Sequence, residues 1–127
     1  MRRFLLATAA AAICATSAMA EVKVGMITTL SGGGAGLGID VRDGFMLAIS
    51  QSGRDDIDVI IEDDQRKPDI AVQLADKMIQ SERVDVMTGI IWSNLAMAVV
   101  PAAVNQNVFY LSPNACLLYT SPSPRDS

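Results

Sequence analysis

Four short stretches of the chain hold residue types able to do chemistry. The first is a polar turn, Thr28-Thr29-Leu30-Ser31, running into glycines at 32, 33, 34, 36 and 38. The others are Glu62-Asp63-Asp64, Trp92-Ser93-Asn94 and Ser112-Pro113-Asn114-Ala115. Histidine is absent, which removes Ser-His-Asp and Cys-His catalysis and the commonest metal ligand from this stretch. A P-loop needs Lys-Ser/Thr after its last glycine, and Ile39-Asp40 follow Gly38 instead. A dinucleotide fingerprint begun at Gly34 and Gly36 would place its last glycine where Ile39 stands, so Glu62, at the place of a ribose-binding acid, lacks its partner motif. Binding remains. Glycines let backbone approach a ligand, and a hydroxyl at a helix start suits an anion. The bland readings are a flexible turn for the glycines, turn and helix caps for the acids, and a plain helix cap for Ser93.

The elements that must position these stretches follow from periodicity. Residues 22–27 form an apolar run, a buried strand that delivers the glycine loop. Val41, Phe45, Ala48, Ile49 and Ser52 share one helical face, predicting a helix over 39–52. Gly44 lies beside that face and is expected to permit close packing on the sheet, Asp40 and Asp43 are in the first turn, and Ser52-Gly53 form the stop. A second strand spans 57–61 and ends in the acids. Pro68 opens a second helix whose stripe is Ile70, Ala71, Leu74, Ala75, Met78 and Ile79. A third strand over 84–91 leads into a third helix over 95–104, capped by Ser93 or Asn94 and kinked or shortened at Pro101. A fourth strand covers 108–111. The alternation predicts an α/β fold, a parallel sheet with helices on both faces and right-handed crossovers. If strand three returns on the far side of strand one, the order is 2-1-3-4, a partial Rossmann-like lobe. The ligand crevice then lies between the loops after strands one and three.

Residues 1–20 read as a signal peptide. Arg2 and Arg3 supply the positive start, and 4–13 an apolar segment too short to span a bilayer, which needs ~20 residues. Ala18-Met19-Ala20 supplies the small-x-small cleavage signal, so the mature chain begins at Glu21. A lipoprotein reading would use Cys14, but Ile13 precedes it where a small residue is expected. Without Arg2 and Arg3 the net charge falls from −4 to about −6, with no basic block, which disfavours nucleic acid and anionic membrane surfaces as partners. Half of the 127 residues are hydrophobic, a composition that fits one globular domain at most.

Composition changes after Ala115. Residues 116–127 end in a Ser-Pro run without periodicity and read as disorder. The string LLYTSPSPRDS also resembles the translation of sequencing-adapter read-through, so the native sequence is expected to stop near Ala115. Cys116 would then be foreign and the native mature segment free of cysteine.

Several motifs, taken in order, resemble a known family. VKVGMITTLSGGGAG, GIDVRDGFMLAI, VIIEDDQRKPDIAV, GIIWSNLAMAVVPAA and NVFYLSPNA are similar to the periplasmic substrate-binding proteins of ABC importers, of the branched-chain amino-acid type with the periplasmic binding protein type I fold. The resemblance covers 21–115. It implies a two-lobed protein with crossing hinge strands, of which this chain supplies part of the first lobe. It also implies a ligand trapped by lobe closure, an ABC permease of the inner membrane as partner, a periplasmic location, no membrane insertion after leader cleavage, no cofactor and no catalysis.

Carried over by position, the resemblance puts a ligand carboxylate on Ser93 and the adjoining amides, Asn94 among them. Asn114 and Ala115 contribute from the loop after strand four. Leu37 stands where many members offer an aromatic wall. Arg66 and Trp92 stand where some members pair cysteines. These departures point away from an aliphatic amino acid, and Trp92 becomes a wall for an aromatic or other carboxylate, or a packing residue. The function expected is capture of an amino acid or related organic acid. A ligand-sensing receptor domain on the same fold and an exported α/β enzyme are the alternatives; neighbouring permease and ATPase genes would separate import from both. Resequencing the locus is expected to show a reading frame that departs from this sequence after Ala115; an intact genomic frame encoding 116–127 would refute a foreign tail.

Overall fold

A computed structural model describes residues 21–113. The leader, Asn114, Ala115 and the tail lie outside the described residues. Within them the order is β1 (Val22–Thr28), α1 (Ala35–Ser52), β2 (Ile57–Asp63), α2 (Pro68–Lys77), β3 (Val86–Thr88), α3 (Ser93–Asn105) and β4 (Phe109–Leu111). A single π-helical turn, Met78–Glu82, extends α2. All strand pairs are parallel and the sheet order is β2-β1-β3-β4, as the sequence pattern predicts. Every β-to-α loop therefore emerges at the same edge.

Alternation along the strands sorts the sheet into two faces. Ile27, Met87 and their neighbours face α2 and α3, which pack on one another. Ala71, Ala75, Met78, Leu95, Ala96, Val99 and Ala103 complete this core. The close helix–strand approach needs Gly25, where a Cβ would lie 2.7 Å from the Met78 sulfur. The opposite face, with Val24 and Met26, carries α1 alone. There the packing is thinner: Gly38 is the only buried residue of α1, and an apolar hollow of about 320 Å³ separates Phe45, Ala48 and Ile49 from Val22, Val24 and Ile57. Phe109 and Leu111 pair with Val86 and Thr88 and remain 64% and 50% exposed.

The structure departs from the sequence reading at several places. Helix α1 starts at Ala35, four residues early, because Gly34 in the left-handed region (φ 98°) forms its start; Asp40 and Asp43 consequently lie beyond the first turn, which holds no acid. Gly44 meets nothing within 4 Å, and Gly38 makes the close approach instead: a Cβ there would overlap the Thr29 carbonyl oxygen. Neither Ser93 nor Asn94 caps α3. Trp92 holds the cap position in extended backbone, and no side chain caps the helix. Helix α3 is not shortened at Pro101, which is exposed, and runs through it to Asn105. Strands β3 and β4 pair over three residues each.

Two predictions follow from this packing. Gly38→Ala must part α1 from the β1 loop and is expected to cost about 1–3 kcal/mol, whereas Gly44→Ala, in open helix, is expected to stabilise by about 0.5–1 kcal/mol. Denaturant melts of the two variants check the pair. Burial pushes the Tyr110 phenol up to about 12 from its ordinary 10, opposed by the Ile90 backbone and aided by the charge of Asp64. The unfolded chain sheds this proton first, so the contribution is full below pH 10 and lost as pH rises through about 12. Alkaline melts are expected to show that decline, and Tyr110→Phe to remove it.

Candidate functional site

The carboxyl edge gathers the loops after β1, β2, β3 and β4, and the acids that close β2 organise the first two. Asp63 accepts the Leu30 amide at 2.9 Å and the Gln65 amide at 2.9 Å. Burial works to raise its carboxyl, but the Ser31 hydroxyl and the amides of Leu30, Gln65 and Ser31 outweigh it and hold it below the usual carboxylate range. Asp64 is fully buried. Its Oδ1 accepts the Arg66 amide at 2.8 Å and the Thr29 hydroxyl at 2.6 Å, while the Lys67 amide donates to its carbonyl at 2.9 Å. Gln65 and Arg66 take positive φ, 51° and 57°, in this tight turn. The acids thus cap turns, one of the two roles open to them in the sequence. Glu62 instead pairs with Lys77 at 2.7 Å on the surface.

Trp92 joins this system from the loop after β3. Its indole N–H donates to the Thr29 hydroxyl at 2.8 Å. The Arg66 guanidinium lies 3.9 Å from the ring centroid, and Arg66 Nη1 donates to the Gly33 carbonyl at 3.5 Å. The ring edge rests on Gly34: a Cβ there would come 2.5 Å from Trp92 Cζ2. The glycine cluster therefore seats an aromatic ring of its own chain.

A separate apolar hollow of about 320 Å³ opens at the switch point between β1 and β3. It is lined by Leu37, Asp40, Val41, Ile91 and Pro113. Leu37 is 56% exposed. Ser93 and Asn94, the first two residues of α3, are exposed, two and three positions beyond Ile91. The first intrahelical bond runs from the Ala96 amide to the Trp92 carbonyl at 3.0 Å, so the Ser93, Asn94 and Leu95 amides have no partner within the helix. Of the residues the sequence singles out, Leu37 lines the hollow and Ser93 and Asn94 stand at the α3 start. Trp92 turns away to Thr29, and Asn114 and Ala115 lie outside the described residues. Thr29, Asp64 and Pro113 lie in the stretches able to do chemistry but carry no ligand role in the sequence reading, and Ile91 carries none either although it adjoins Trp92. Which of three successive acids is buried is not legible there. Among the described residues no group of three or more His, Cys, Asp or Glu is placed to hold a metal ion, and no helix is long and apolar enough to cross a membrane.

Comparison with known proteins bears on this geometry. No protein of curated function matches at the sequence level. Among solved structures, the chain is similar to an ABC transporter substrate-binding protein from Sphaerobacter thermophilus, with 30% identity and a TM-score of 0.72 over 75% of this chain and 27% of that one. It is similar to a solute binding protein of an ABC transporter from R. palustris in complex with benzoate, with 36% identity and a TM-score of 0.69 over 75% and 28%. It shares the fold of a leucine binding protein from Thermotoga maritima, with 23% identity and a TM-score of 0.70 over 73% and 27%. The chain thus spans little more than a quarter of the length of these structures. A family model described as "Periplasmic binding protein" matches residues 21–126, and with its parallel 2-1-3-4 sheet this chain belongs to the periplasmic binding protein family.

Proposed function

We propose that this chain is part of a two-lobed periplasmic solute-binding protein that captures a small carboxylate, an amino acid or related organic acid, and delivers it to an ABC permease of the inner membrane. Export would follow from the leader, cleaved after Ala20. The role is binding, with no catalysis and no cofactor.

The observation that carries the reading is the uncapped start of α3 beside an apolar hollow. Three amides without intrahelical partners and the Ser93 hydroxyl meet at one helix end. The positive end of the helix dipole favours a carboxylate there. The hollow is lined by Leu37, Asp40, Val41, Ile91 and Pro113, and its four apolar residues suit an apolar body attached to that carboxylate. Asn114 and Ala115 would add contacts from the loop after β4. The benzoate of the R. palustris relative makes an aromatic carboxylate the first ligand to test.

Full-length protein should therefore bind benzoate or a close aromatic acid by calorimetric titration. Ser93→Ala, which removes one hydrogen bond to a charged group, should weaken that binding roughly ten- to hundredfold. Unchanged affinity in this variant would remove Ser93 from the site. Binding of leucine but not of aromatic acids would return the ligand to the aliphatic amino acids.

A further inference from the structure

We infer that Thr29, Asp64 and Arg66 are positioning residues that hold Trp92 as a strut, and that this strut sets where the start of α3 stands against the loop after β1. The inference rests on the reading of that helix start as the ligand's anchor, but its structural half can be tested without any ligand.

The polarity of the relay is fixed. Asp64 Oδ1 already accepts the Arg66 amide, an obligatory donor, and so acts as an acceptor toward Thr29 as well. The single Thr29 proton is spent on that carboxyl at 2.6 Å, which leaves the lone pairs of its oxygen for the Trp92 indole N–H at 2.8 Å. Thr29 and Asp64 are both fully buried, so neither exchanges these bonds freely with water. Arg66 contributes twice: its amide fixes Asp64, and its guanidinium covers the ring 3.9 Å from the centroid. Gly34 gives the ring edge room that any side chain would occupy.

The consequence for α3 is direct. Trp92 is the cap residue of that helix, and its carbonyl accepts the first intrahelical bond, from Ala96. The main chain that the ring anchors is thus the main chain that aims the Ser93 and Asn94 amides. A tryptophan that lined the hollow would touch ligand; this one packs against the buried cluster and contacts Thr29, Gly34 and Arg66, so the loops after β1, β2 and β3 meet on it. Loss of the Thr29 hydroxyl removes the ring's one hydrogen bond and lets the ring and the helix start shift, although Thr29 itself lines no part of the hollow.

The test uses the full-length protein with Thr29→Val, which keeps the shape and removes the hydroxyl, and Thr29→Ser, which restores it. The indole N–H resonance, assigned with Trp92→Phe, and the Ser93 and Asn94 amide resonances are followed in nitrogen–proton spectra. The valine variant should move all three, and the serine variant should return them toward the wild-type positions. Amides of Ser93 and Asn94 that stay in place while the indole moves would overturn the positioning role, and an unmoved indole would overturn the relay itself. In the same proteins, benzoate affinity should fall up to about tenfold in the valine variant and recover with serine. Equal benzoate affinity in the wild-type and valine proteins overturns the inference, whereas wild-type protein that binds no carboxylate overturns the proposed function and leaves the resonances to decide the strut.

Discussion

A buried carboxyl must find donors, and at the carboxyl edge of this sheet Asp64 finds them in two directions. One is local, the Arg66 amide two residues on; the other crosses to the neighbouring strand's loop, the Thr29 hydroxyl. The first bond shapes the turn after β2, with Gln65 and Arg66 in the left-handed region. The second ties that turn to the loop after β1. Because Thr29 in turn receives the Trp92 indole, the loop after β3 is drawn into the same system. Three loops of a parallel sheet, each of which would otherwise be set only by its own strand and helix, share one hydrogen-bonded centre. The glycine loop is consistent with this role. Gly34 leaves space for the ring and Gly38 brings α1 onto the Thr29 carbonyl, so both glycines serve the packing of the edge.

The two faces of the sheet are not equally supported. On the α2–α3 side, alternate strand residues meet two helices that also meet each other, and the buried side chains there form one cluster. On the α1 side a single helix lies over β1 and β2, and Phe109 and Leu111 stay open beyond it. Burial of apolar surface is the principal favourable contribution to folding, so the cohesion of the described residues resides mainly on the first side. The hollow takes Leu37, Asp40 and Val41 from α1, on the second side, and Ile91 and Pro113 from the loops after β3 and β4.

Sheet order and element types were legible in the sequence because they rest on periods. The α2 stripe from Ile70 to Ile79 and the apolar run of β1 have only one comfortable reading, and alternating elements in a parallel sheet leave few topologies. The misread details are those that depend on what lies across space. Gly38 and Gly44 look alike along the chain, and only the position of the Thr29 carbonyl distinguishes them. Ser93 is a good capping residue by type, yet the backbone enters α3 through Trp92, whose ring is held from outside the helix. Pro101 should trouble a helix, yet α3, held by the buried Leu95, Ala96, Val99 and Ala103, continues past it to Asn105. Asp63 and Asp64 are adjacent and identical in type; the turn after β2 buries Asp64 against Thr29 and leaves Asp63, the last strand residue, partly open.

The use of Trp92 as a strut bears on what the hollow can recognise. With the chain's one tryptophan turned to Thr29 and Arg66, the lining supplied by the described residues is mainly aliphatic, from Leu37, Val41, Ile91 and Pro113, with the one acid Asp40 among them. Such a lining favours apolar bulk without fixing its orientation, because dispersion and water exclusion are not directional. Orientation in the proposed site must then come from the polar end, the amides and hydroxyl at the start of α3. An error in the placement of that helix start would misalign every ligand alike, whereas a change in the aliphatic lining would discriminate among them by size. The relay beneath Trp92 and the walls of the hollow therefore act on different quantities: the relay on how well any carboxylate is held, the walls on which one is.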